Sequence, residues 1–310
     1  MAQYLDPKND LTFKRVFGEH KHLCMSLLNS MLPLAHPIVG IEYQTGQLLP
    51  EIEVLRLSIV DVRCTDSVGR QFIVEMQMYW SESFKSRVLL NASKAYVMQL
   101  DRAQKYELLQ PVYSLNFVNE IFEKSSEMRD EYYHHYQIVN IKDTNKQIKG
   151  LEFVFIELPK FKPQNRAEKK LHELWLRFLT EINESTREAP KELLENNDTR
   201  EAVGYVEIGA YTKEQLFTYD KVRDAIMTEI SVIDDAITKG MEEGIAKGIT
   251  KGMEEGIAKG MEQGLEEGKK KAAVKIALNL LKLGIPLDDI AQSTGLTQKE
   301  IRALQKGKEH

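Results

Sequence analysis

The amino-acid sequence predicts an α/β protein in which a mixed β-sheet carries helices on its faces. Apolar segments of helical length and of strand length alternate over residues 1–235, the pattern of a mixed sheet with packed helices. Aromatic residues (11 Phe, 12 Tyr, 2 Trp) are spread through this part, so it can bury a core. After residue 238 the composition changes, and glycine recurs at every fourth position. The chain therefore divides into a folded domain and a C-terminal helical appendage.

Periodicity assigns the individual elements in chain order. Apolar residues at helical spacing predict helices at Asp10–Phe17, His22–Met31, Ser83–Tyr106, Gln164–Ile182, Lys191–Asn196 and Thr212–Thr238. Runs rich in β-branched and aromatic residues predict strands at Val54–Cys64, Arg70–Met78, Pro111–Val118, Tyr133–Val139 and Leu151–Glu157.

The first two predicted strands are joined by a short turn, and its register decides where their acidic side chains point. With a three-residue loop that ends at Gly69, this glycine supplies the positive φ that closes the hairpin. Asp61 then stands opposite Glu75, and opposed residues project from one face with Cβ atoms ~5 Å apart. Gln77 lies two residues further on and shares that face. The alternate residues point the other way, into the core: Val60, Val62, Val74 and Met76.

Two carboxylates held this close repel each other unless a cation lies between them. Hard oxygen ligands favour Mg²⁺ or Mn²⁺, and the Met76 carbonyl oxygen is a third candidate ligand. A metal in this position could polarise a phosphodiester and lower the pKa of a bound water. The same acids could equally be polar residues on a solvated sheet face, and spacing alone does not separate the two interpretations.

The sequence around this hairpin resembles a known family. The pattern Asp61-x13-Glu75-x-Gln77 is similar to the active-site hairpin of the PD-(D/E)xK nucleases. Over residues 4–235 the chain resembles one branch, the recombination-promoting nuclease (Rpn) and transposase family. The matching motifs are Asp6–Gly18, Val74–Met78, Phe84-x-x-Arg87, Tyr96-x-x-Gln99, Tyr106-x-x-Leu-x-Pro111-Val112 and Ile156–Phe161.

This resemblance implies a restriction-endonuclease-like core that cuts DNA with the help of a divalent metal ion. It also implies a role in recombination or in the movement of mobile DNA. Asp61 and Glu75 would be catalytic metal ligands, and Gln77 would complete the catalytic set. The wider superfamily has lysine at the position of Gln77, where its cation stabilises the charge on the phosphate; an amide offers only neutral hydrogen bonds. Because glutamine is usual in this branch, the site is interpreted as a variant site and not an inactive one.

Residues outside the hairpin extend the predicted site. Asp10 could approach the metal from the first helix, or it could serve as an N-cap of that helix, and both interpretations stay open. Lys14 or Arg87 could supply the cation that the amide lacks. Arg87, Asn91 and Lys94 recur at helical spacing. Asn91 is expected to be ordinary surface, whereas the candidate DNA-binding residues are Lys14, Arg87 and Lys94.

Glycines at every fourth position from 240 to 268 set residues 236–271 apart from the nuclease-like domain, residues 1–235. The octapeptide Lys-Gly-Met-Glu-Glu-Gly-Ile-Ala occurs at 239–246 and again at 251–258. Each glycine costs a helix ~1 kcal/mol relative to alanine, and a row of residues four apart drifts ~40° around the helix per step. We expect a flexible or conditionally helical connector that packs against another copy and makes the protein a homo-oligomer.

Residues 272–310 form a predicted tail of three short helices. Thr297 and Glu300 have the spacing of a capping box at the start of the last helix. The segment Ile290–Thr297 resembles the turn of a helix-turn-helix, which could enter the major groove of DNA. The tail could equally be a protein-docking or oligomerising bundle that joins copies together with the repeat. The predicted helices are Ala273–Leu283, Leu287–Ser293 and Gln298–Gln305.

Composition excludes several classes of protein. The net charge of −5 disfavours a uniformly basic nucleic-acid coat. Cys24 and Cys64 are too few for a disulfide framework or a four-cysteine zinc site. No apolar run approaches the ~18 residues that span a bilayer, and the N-terminus has no secretory leader. We therefore expect a cytoplasmic protein without a membrane partner, and the family resemblance implies DNA as its partner.

The leading prediction is a Mg²⁺-dependent DNA endonuclease, with Mn²⁺ as the alternative ion. A second hypothesis is a DNA-binding or assembly protein that retains the nuclease fold with weak or no activity. A third is a regulatory module that acts through the glycine repeat and the tail.

Overall fold

The computed structural model describes residues 3–44, 47–48, 58–59, 61–100, 105–163 and 170–306. They group into two compact units, Met1–Ile226 and Met227–His310. In these residues no helix is long and apolar enough to cross a membrane.

The first unit holds the sheet and the helices around it. Its helices are α1 (Asp10–Phe13), α2 (Lys21–Met31), α3 (Glu82–Val97), α4 (Lys170–Glu181), α5 (Lys191–Glu195), α6 (Asn197–Tyr205) and the start of α7 (Lys213–Lys282). Its strands are β1 (Ile41–Tyr43), β2 (Gln47–Leu48), β3 (Ser58–Ile59), β4 (Val62–Asp66), β5 (Gln71–Gln77), β6 (Val112–Val118), β7 (Tyr133–Asn140) and β8 (Asp143–Glu157). The predicted first helix is split, because one turn of π-helix (Lys14–Gly18) follows α1.

Six strands form a mixed sheet in the order β1-β4-β5-β6-β8-β7. The strands β1, β4 and β5 pair antiparallel, β5 pairs parallel with β6 and β6 with β8, and β7 returns antiparallel to β8. The crossover from β5 to β6 runs through α3, as a parallel connection requires. The predicted mixed sheet is therefore confirmed, and β2 and β3 form a separate two-stranded ladder.

Helices cover both faces of this sheet, as predicted. On one face α1, α2, α4 and α6 share a core with the sheet. Val62 and Val74 belong to this core, and Met76 packs against it, whereas Val60 lies outside the described residues. On the other face, Ala92 and Ala95 of α3 pack against Ile73. Successive residues of β5 therefore point into different cores, one on each face of the sheet, because side chains alternate along a strand.

The β4–β5 hairpin has the predicted register. Val62 pairs with Val74, and the amide of Asp66 donates to the Arg70 carbonyl at 3.0 Å. Gly69 has a φ of 89° and ends the loop, as predicted. Counting back one residue from the pair of valines places Asp61 opposite Glu75.

Two predicted elements differ from the observed ones at their ends. α3 ends at Val97, before the predicted end at Tyr106; Val97 and Met98 are exposed, so no burial there stabilises another turn. β8 begins at Asp143 instead of Leu151. The first half of β8 pairs with β7 alone, and the two strands form a hairpin that extends beyond β6. This half is not buried by other strands or helices and has no apolar run, so the pattern predicted only the second half.

Two other predicted segments reach into parts of the chain that the structure does not describe. Residues 54–57 and 60 of the strand predicted at Val54–Cys64 lie outside the described residues, as do residues 164–169 of the helix predicted at Gln164–Ile182. The described part of that strand corrects the prediction of one continuous strand, because it is divided between β3 and β4 with Asp61 in a bend between them. β1, β2 and α6 were not predicted. β1 has only three residues, too few for a periodic pattern. α6 follows α5 after a single capping residue, so the sequence pattern does not separate the two helices.

In the second unit, α7 continues through the whole glycine repeat. Pairs of opposite charge four residues apart support this helix, with Nζ–O distances of 3.5 Å for Lys247–Glu243 and 3.4 Å for Lys271–Glu267. Of the two expected states, the structure has the helical one. Domain boundaries are predicted after residues 235 and 271, and α7 is continuous across both positions. The two boundaries therefore remain predictions that rest on composition.

The tail consists of the end of α7, α8 (Leu287–Thr294) and α9 (Gln298–Lys306), close to the three predicted helices. Its core contains Ala277, Ile290, Leu296 and Ile301. The predicted capping box is present: a Glu300 carboxylate oxygen accepts from the Thr297 amide at 2.9 Å, and the Thr297 hydroxyl accepts from the Glu300 amide at 3.3 Å.

Replacing Gly69 by alanine should lower the free energy of unfolding by about 1–2 kcal/mol, because its φ is positive and a Cβ would lie 3.1 Å from Cγ of Gln110. Gly204→Ala is the matched control, since this glycine is helical and a Cβ there meets nothing within 4 Å. It should raise stability by about 0.5–1 kcal/mol. Urea unfolding followed by tryptophan fluorescence measures both. Equal stabilities of the two variants would contradict the assigned turn.

Candidate functional site

The predicted acids lie at one end of the β4–β5 hairpin, and α3 covers the sheet face from which Glu75 projects. Glu75 is a residue of β5, and Asp61 immediately precedes β4. The Oδ2 atom of Asp61 accepts a hydrogen bond from the Met76 amide at 2.7 Å. This bond fixes the Asp61 carboxylate beside the residue that follows Glu75.

Glu75 is buried, with 7% of its side chain exposed, and α3 supplies both of its described partners. Its Oε1 accepts a hydrogen bond from Nδ2 of Asn91 at 2.9 Å, and its Oε2 lies 3.9 Å from a terminal nitrogen of Arg87. The two carboxylate oxygens thus have different neighbours, one a neutral amide and the other a cation.

The position of Asn91 corrects the expectation that it is a surface residue, because it is only 1% exposed. Asn91 follows Val88 by three residues and precedes Ala95 by four, and both of these are buried against the sheet. Its spacing therefore places it on the packed side of the helix. The sequence did indicate burial, because Asn91 has the spacing of the core residues of this helix. Its spacing also fits the polar stripe of Arg87 and Lys94, and that second pattern led to the prediction of a surface position.

Arg87 also contacts Gln77. Its guanidinium donates a hydrogen bond to Oε1 of Gln77, and its Cζ lies 4.9 Å above the ring of Phe84. The amide nitrogen of Gln77 donates to the Tyr79 carbonyl at 2.5 Å. The Arg87 side chain is 51% exposed, so a cation lies beside both Glu75 and Gln77 while remaining open to solvent.

The first helix brings a second cation to the site. Asn9 is the N-cap of α1, since its Oδ1 accepts from the Leu11 amide at 3.0 Å, and Asp10 does not serve as the cap. The Asp10 carboxylate lies 2.7 Å from Nζ of Lys14, and this Nζ lies 3.8 Å from Oδ1 of Asp61. Two chains of contacts therefore form, Asp10–Lys14–Asp61 and Asn91–Glu75–Arg87–Gln77. The remaining candidate, Lys94, is half-buried one turn beyond Asn91.

Burial dominates the electrostatics of the two acids. It raises the pKa of Asp61 to about 7, with the charges of Asp10 and Glu75 acting in the same direction and the Met76 amide and Lys14 opposing them. Burial also raises the pKa of Glu75, against the hydrogen bond from Asn91 and the charge of Arg87. Both anions are thus only partly compensated, which favours a further cation between them.

The oxygen donors at this position fit a divalent ion that keeps part of its water shell. No group of three or more His, Cys, Asp and Glu side chains within the described ranges is arranged to hold a metal. Mg²⁺ does not need such a cage, because it is commonly bound through one or two carboxylates, with waters and substrate phosphates completing its octahedron. Asp61 and Glu75 match that requirement in number and chemistry.

Comparison with known proteins identifies the family. Residues 7–236 match the family described as PD-(D/E)XK nuclease family transposase. Residues 270–306 match the C-terminal HTH domain of the Rpn/YhgA-like nuclease family, which confirms the predicted helix-turn-helix and favours DNA as its partner. No match was found among the curated proteins or among the solved structures. With most of its length matched and a mixed sheet covered by helices, the chain belongs to the PD-(D/E)XK nuclease family transposases and carries an Rpn-type C-terminal domain.

Proposed function

We propose that this protein is a metal-dependent endonuclease that hydrolyses phosphodiester bonds of DNA, in recombination or movement of mobile DNA in the cytoplasm. The observation that supports the proposal is the hairpin register: Val62 pairs with Val74, and the carboxylate of Asp61, just before Val62, accepts from the amide of Met76, just after Glu75. Membership of a nuclease family and the helix-turn-helix domain support it.

Asp61 and Glu75 would hold the ion, Mg²⁺ or Mn²⁺, with the Met76 carbonyl as a further oxygen ligand. When bound, the ion supplies a Lewis acid for the phosphate and lowers the pKa of a coordinated water. The chain itself holds both carboxylates in place before the ion arrives. Asp10 is an accessory acid, kept near Asp61 by its ion pair with Lys14.

Gln77 would orient the attacking water or a phosphate oxygen through its amide. The positive charge that lysine supplies elsewhere in the superfamily would come from Arg87, which donates to Gln77 and lies 3.9 Å from Glu75. A guanidinium presents several donors in one plane and suits a phosphate. Lys14 provides a second cation beside Asp61, and Lys94 extends the polar stripe of α3 as a candidate contact for the DNA backbone.

The main test uses full-length protein and supercoiled plasmid with Mg²⁺ or Mn²⁺. Asp61→Asn and Glu75→Gln keep side-chain size and should each reduce nicking at least ~100-fold, because each removes a charge that holds the ion. Glu195→Gln changes an exposed acid in the same way and should cut like the wild type.

Nicking that persists in both site variants would place the active site elsewhere. Binding of DNA without cutting in either metal would favour the second hypothesis, a DNA-binding or assembly protein. The neutral Gln77 and the net charge of −5 are the observations that support that alternative.

The raised pKa of Asp61 predicts how stability depends on pH when metal is removed by chelation. The carboxyl titrates near its ordinary value of 3.8 when unfolded and near about 7 when folded. The folded state therefore binds this proton more tightly, and the resulting stabilisation is complete below pH ~4 and is lost as the pH rises through ~7. Asp61→Asn is always neutral, so its stability relative to wild type should increase by about 2–3 kcal/mol between pH 5 and pH 8.

Urea unfolding at the two pH values in chelator measures this difference. Asp130→Asn, which neutralises an exposed aspartate, should show the pH dependence of the wild type. A stability difference between Asp61→Asn and wild type that stays constant, or that grows toward acid, would contradict the raised pKa.

We also propose that the glycine repeat joins copies of the protein. Beside the glycine row, a second row of period four carries apolar side chains, each 54–72% exposed: Met241, Ile245, Ile249, Met253, Ile257, Met261 and Leu265. Rows four residues apart form ridges, and two helices whose ridges interdigitate cross at ~50°. The glycine row is the groove that such a ridge could enter, which makes a second copy of the same helix a suitable partner.

Replacing Ile245, Ile249 and Ile257 by glutamine should reduce the mass in solution toward that of one 35.7-kDa chain, because the apolar ridge is lost. Light scattering coupled to size-exclusion chromatography measures the mass. The control replaces Glu242, Glu254 and Glu262, which lie on a different row of the helix, by glutamine. A mass unchanged by the isoleucine replacements would contradict the proposed contact.

A further inference from the structure

The amide of Asn91 contains a buried atom for which the protein provides no partner. Its Oδ1 is inaccessible to solvent and accepts no hydrogen bond. Burying an unpaired polar atom costs about 1–3 kcal/mol, so such an atom needs an explanation. In the described chain, side-chain atoms of this kind occur on Arg15, Arg63, Asn91 and Tyr211. Of these side chains, Asn91 is the one bonded to an acid of the proposed metal site.

The nitrogen of the same amide, in contrast, makes a hydrogen bond. Nδ2 of Asn91 donates to Oε1 of Glu75 at 2.9 Å, while Oε2 of Glu75 faces Arg87 at 3.9 Å. An amide holds the carboxylate in one orientation without adding a charge of its own. Glu75 can therefore remain an anion with a fixed direction, as a metal ligand requires.

Oδ1 and Nδ2 are bonded to the same carbon, so the unpaired oxygen belongs to the amide group that contacts the Glu75 carboxylate. Mg²⁺ retains several of its waters when two carboxylates bind it, and each such water has hydrogens to donate. A carbonyl oxygen accepts up to two hydrogen bonds. Waters retained on a bound ion would need acceptors, and Oδ1 is an acceptor that the protein leaves unsatisfied.

We propose that Asn91 is a positioning residue of the metal site: its Nδ2 orients Glu75, and its Oδ1 accepts a hydrogen bond from a water on the bound ion. This inference rests on the proposed function, since it assumes that Asp61 and Glu75 bind a divalent ion. It adds a residue of α3 to the site, and it assigns a role to an oxygen that lacks a partner within the protein.

The test measures Mn²⁺ affinity of the full-length protein directly, from the electron paramagnetic resonance signal of the free ion. Asn91→Leu has a similar shape and removes both donor and acceptor, so Mn²⁺ should bind at least ~10-fold more weakly. Asn116→Leu is the matched control. Asn116 is fully buried on the same sheet face, but its hydrogen bonds go to Ser114 and the Val154 carbonyl. Its Mn²⁺ affinity should equal that of the wild type.

Asn91→Asp keeps the volume of the side chain and an acceptor oxygen but cannot donate to Glu75, and its added negative charge should by itself favour Mn²⁺. Mn²⁺ binding by Asn91→Asp that is no tighter than by Asn91→Leu would therefore overturn the role of Oδ1. Circular dichroism and tryptophan fluorescence establish that each variant is folded before its affinity is compared.

Asp61→Asn distinguishes failure of this inference from failure of the proposed function. Wild-type protein that binds Mn²⁺ no better than Asp61→Asn would overturn the metal site as a whole. Wild-type affinity that falls in Asp61→Asn but is unchanged in Asn91→Leu would overturn the role of Asn91 alone. An equal loss in Asn91→Leu and Asn116→Leu would show a general effect of packing and would also overturn it.

Discussion

The antiparallel register of β4 with β5 is the constraint on which the candidate site depends. Side chains alternate between the faces of a strand, so a slip of one residue would move every side chain of β4 to the other face. Val62 and Val74 would then leave the core, and Asp61 would leave Glu75. Gly69 closes the turn, and the Asp61–Met76 bond holds the far end, so both ends of the hairpin support the same register.

The layers around the sheet give the site its electrostatic character. Burial raises the pKa of both carboxyls: α3 covers Glu75, whereas Asp61 contacts the Met76 amide and Lys14. The same helix delivers Arg87, and the π-turn after α1 delivers Lys14, so the cations come from two separate elements. Neither cation is buried with the acids, and each stays within 4 Å of one of them. The result is one buried and one partly buried anion whose charges the protein only partly balances, as a site for a divalent ion requires.

The second unit adds surfaces of a different kind. The helix-turn-helix domain packs a small core of its own, and its family match makes DNA the expected partner. The glycine repeat instead exposes an apolar row on a continuous helix, although eight glycines weaken that helix by on the order of 8 kcal/mol in isolation. Contact with a second copy would offset part of that weakness. In the proposed function, cutting belongs to the first unit, whereas self-association and a further DNA contact would belong to the second.

Local rules suffice for much of this protein. Period-two alternation and one turn glycine predict which residues of β4 and β5 face which core, and capping chemistry predicts the start of α9. Contacts between distant segments lie beyond such rules. Glu75 meets Asn91 and Arg87, and Asp61 meets Lys14, only because α1 and α3 pack against the hairpin. Periodicity assigns a polar residue to one side of a helix, but the packing of that side on the sheet determines which carboxylate it reaches and how deeply both are buried.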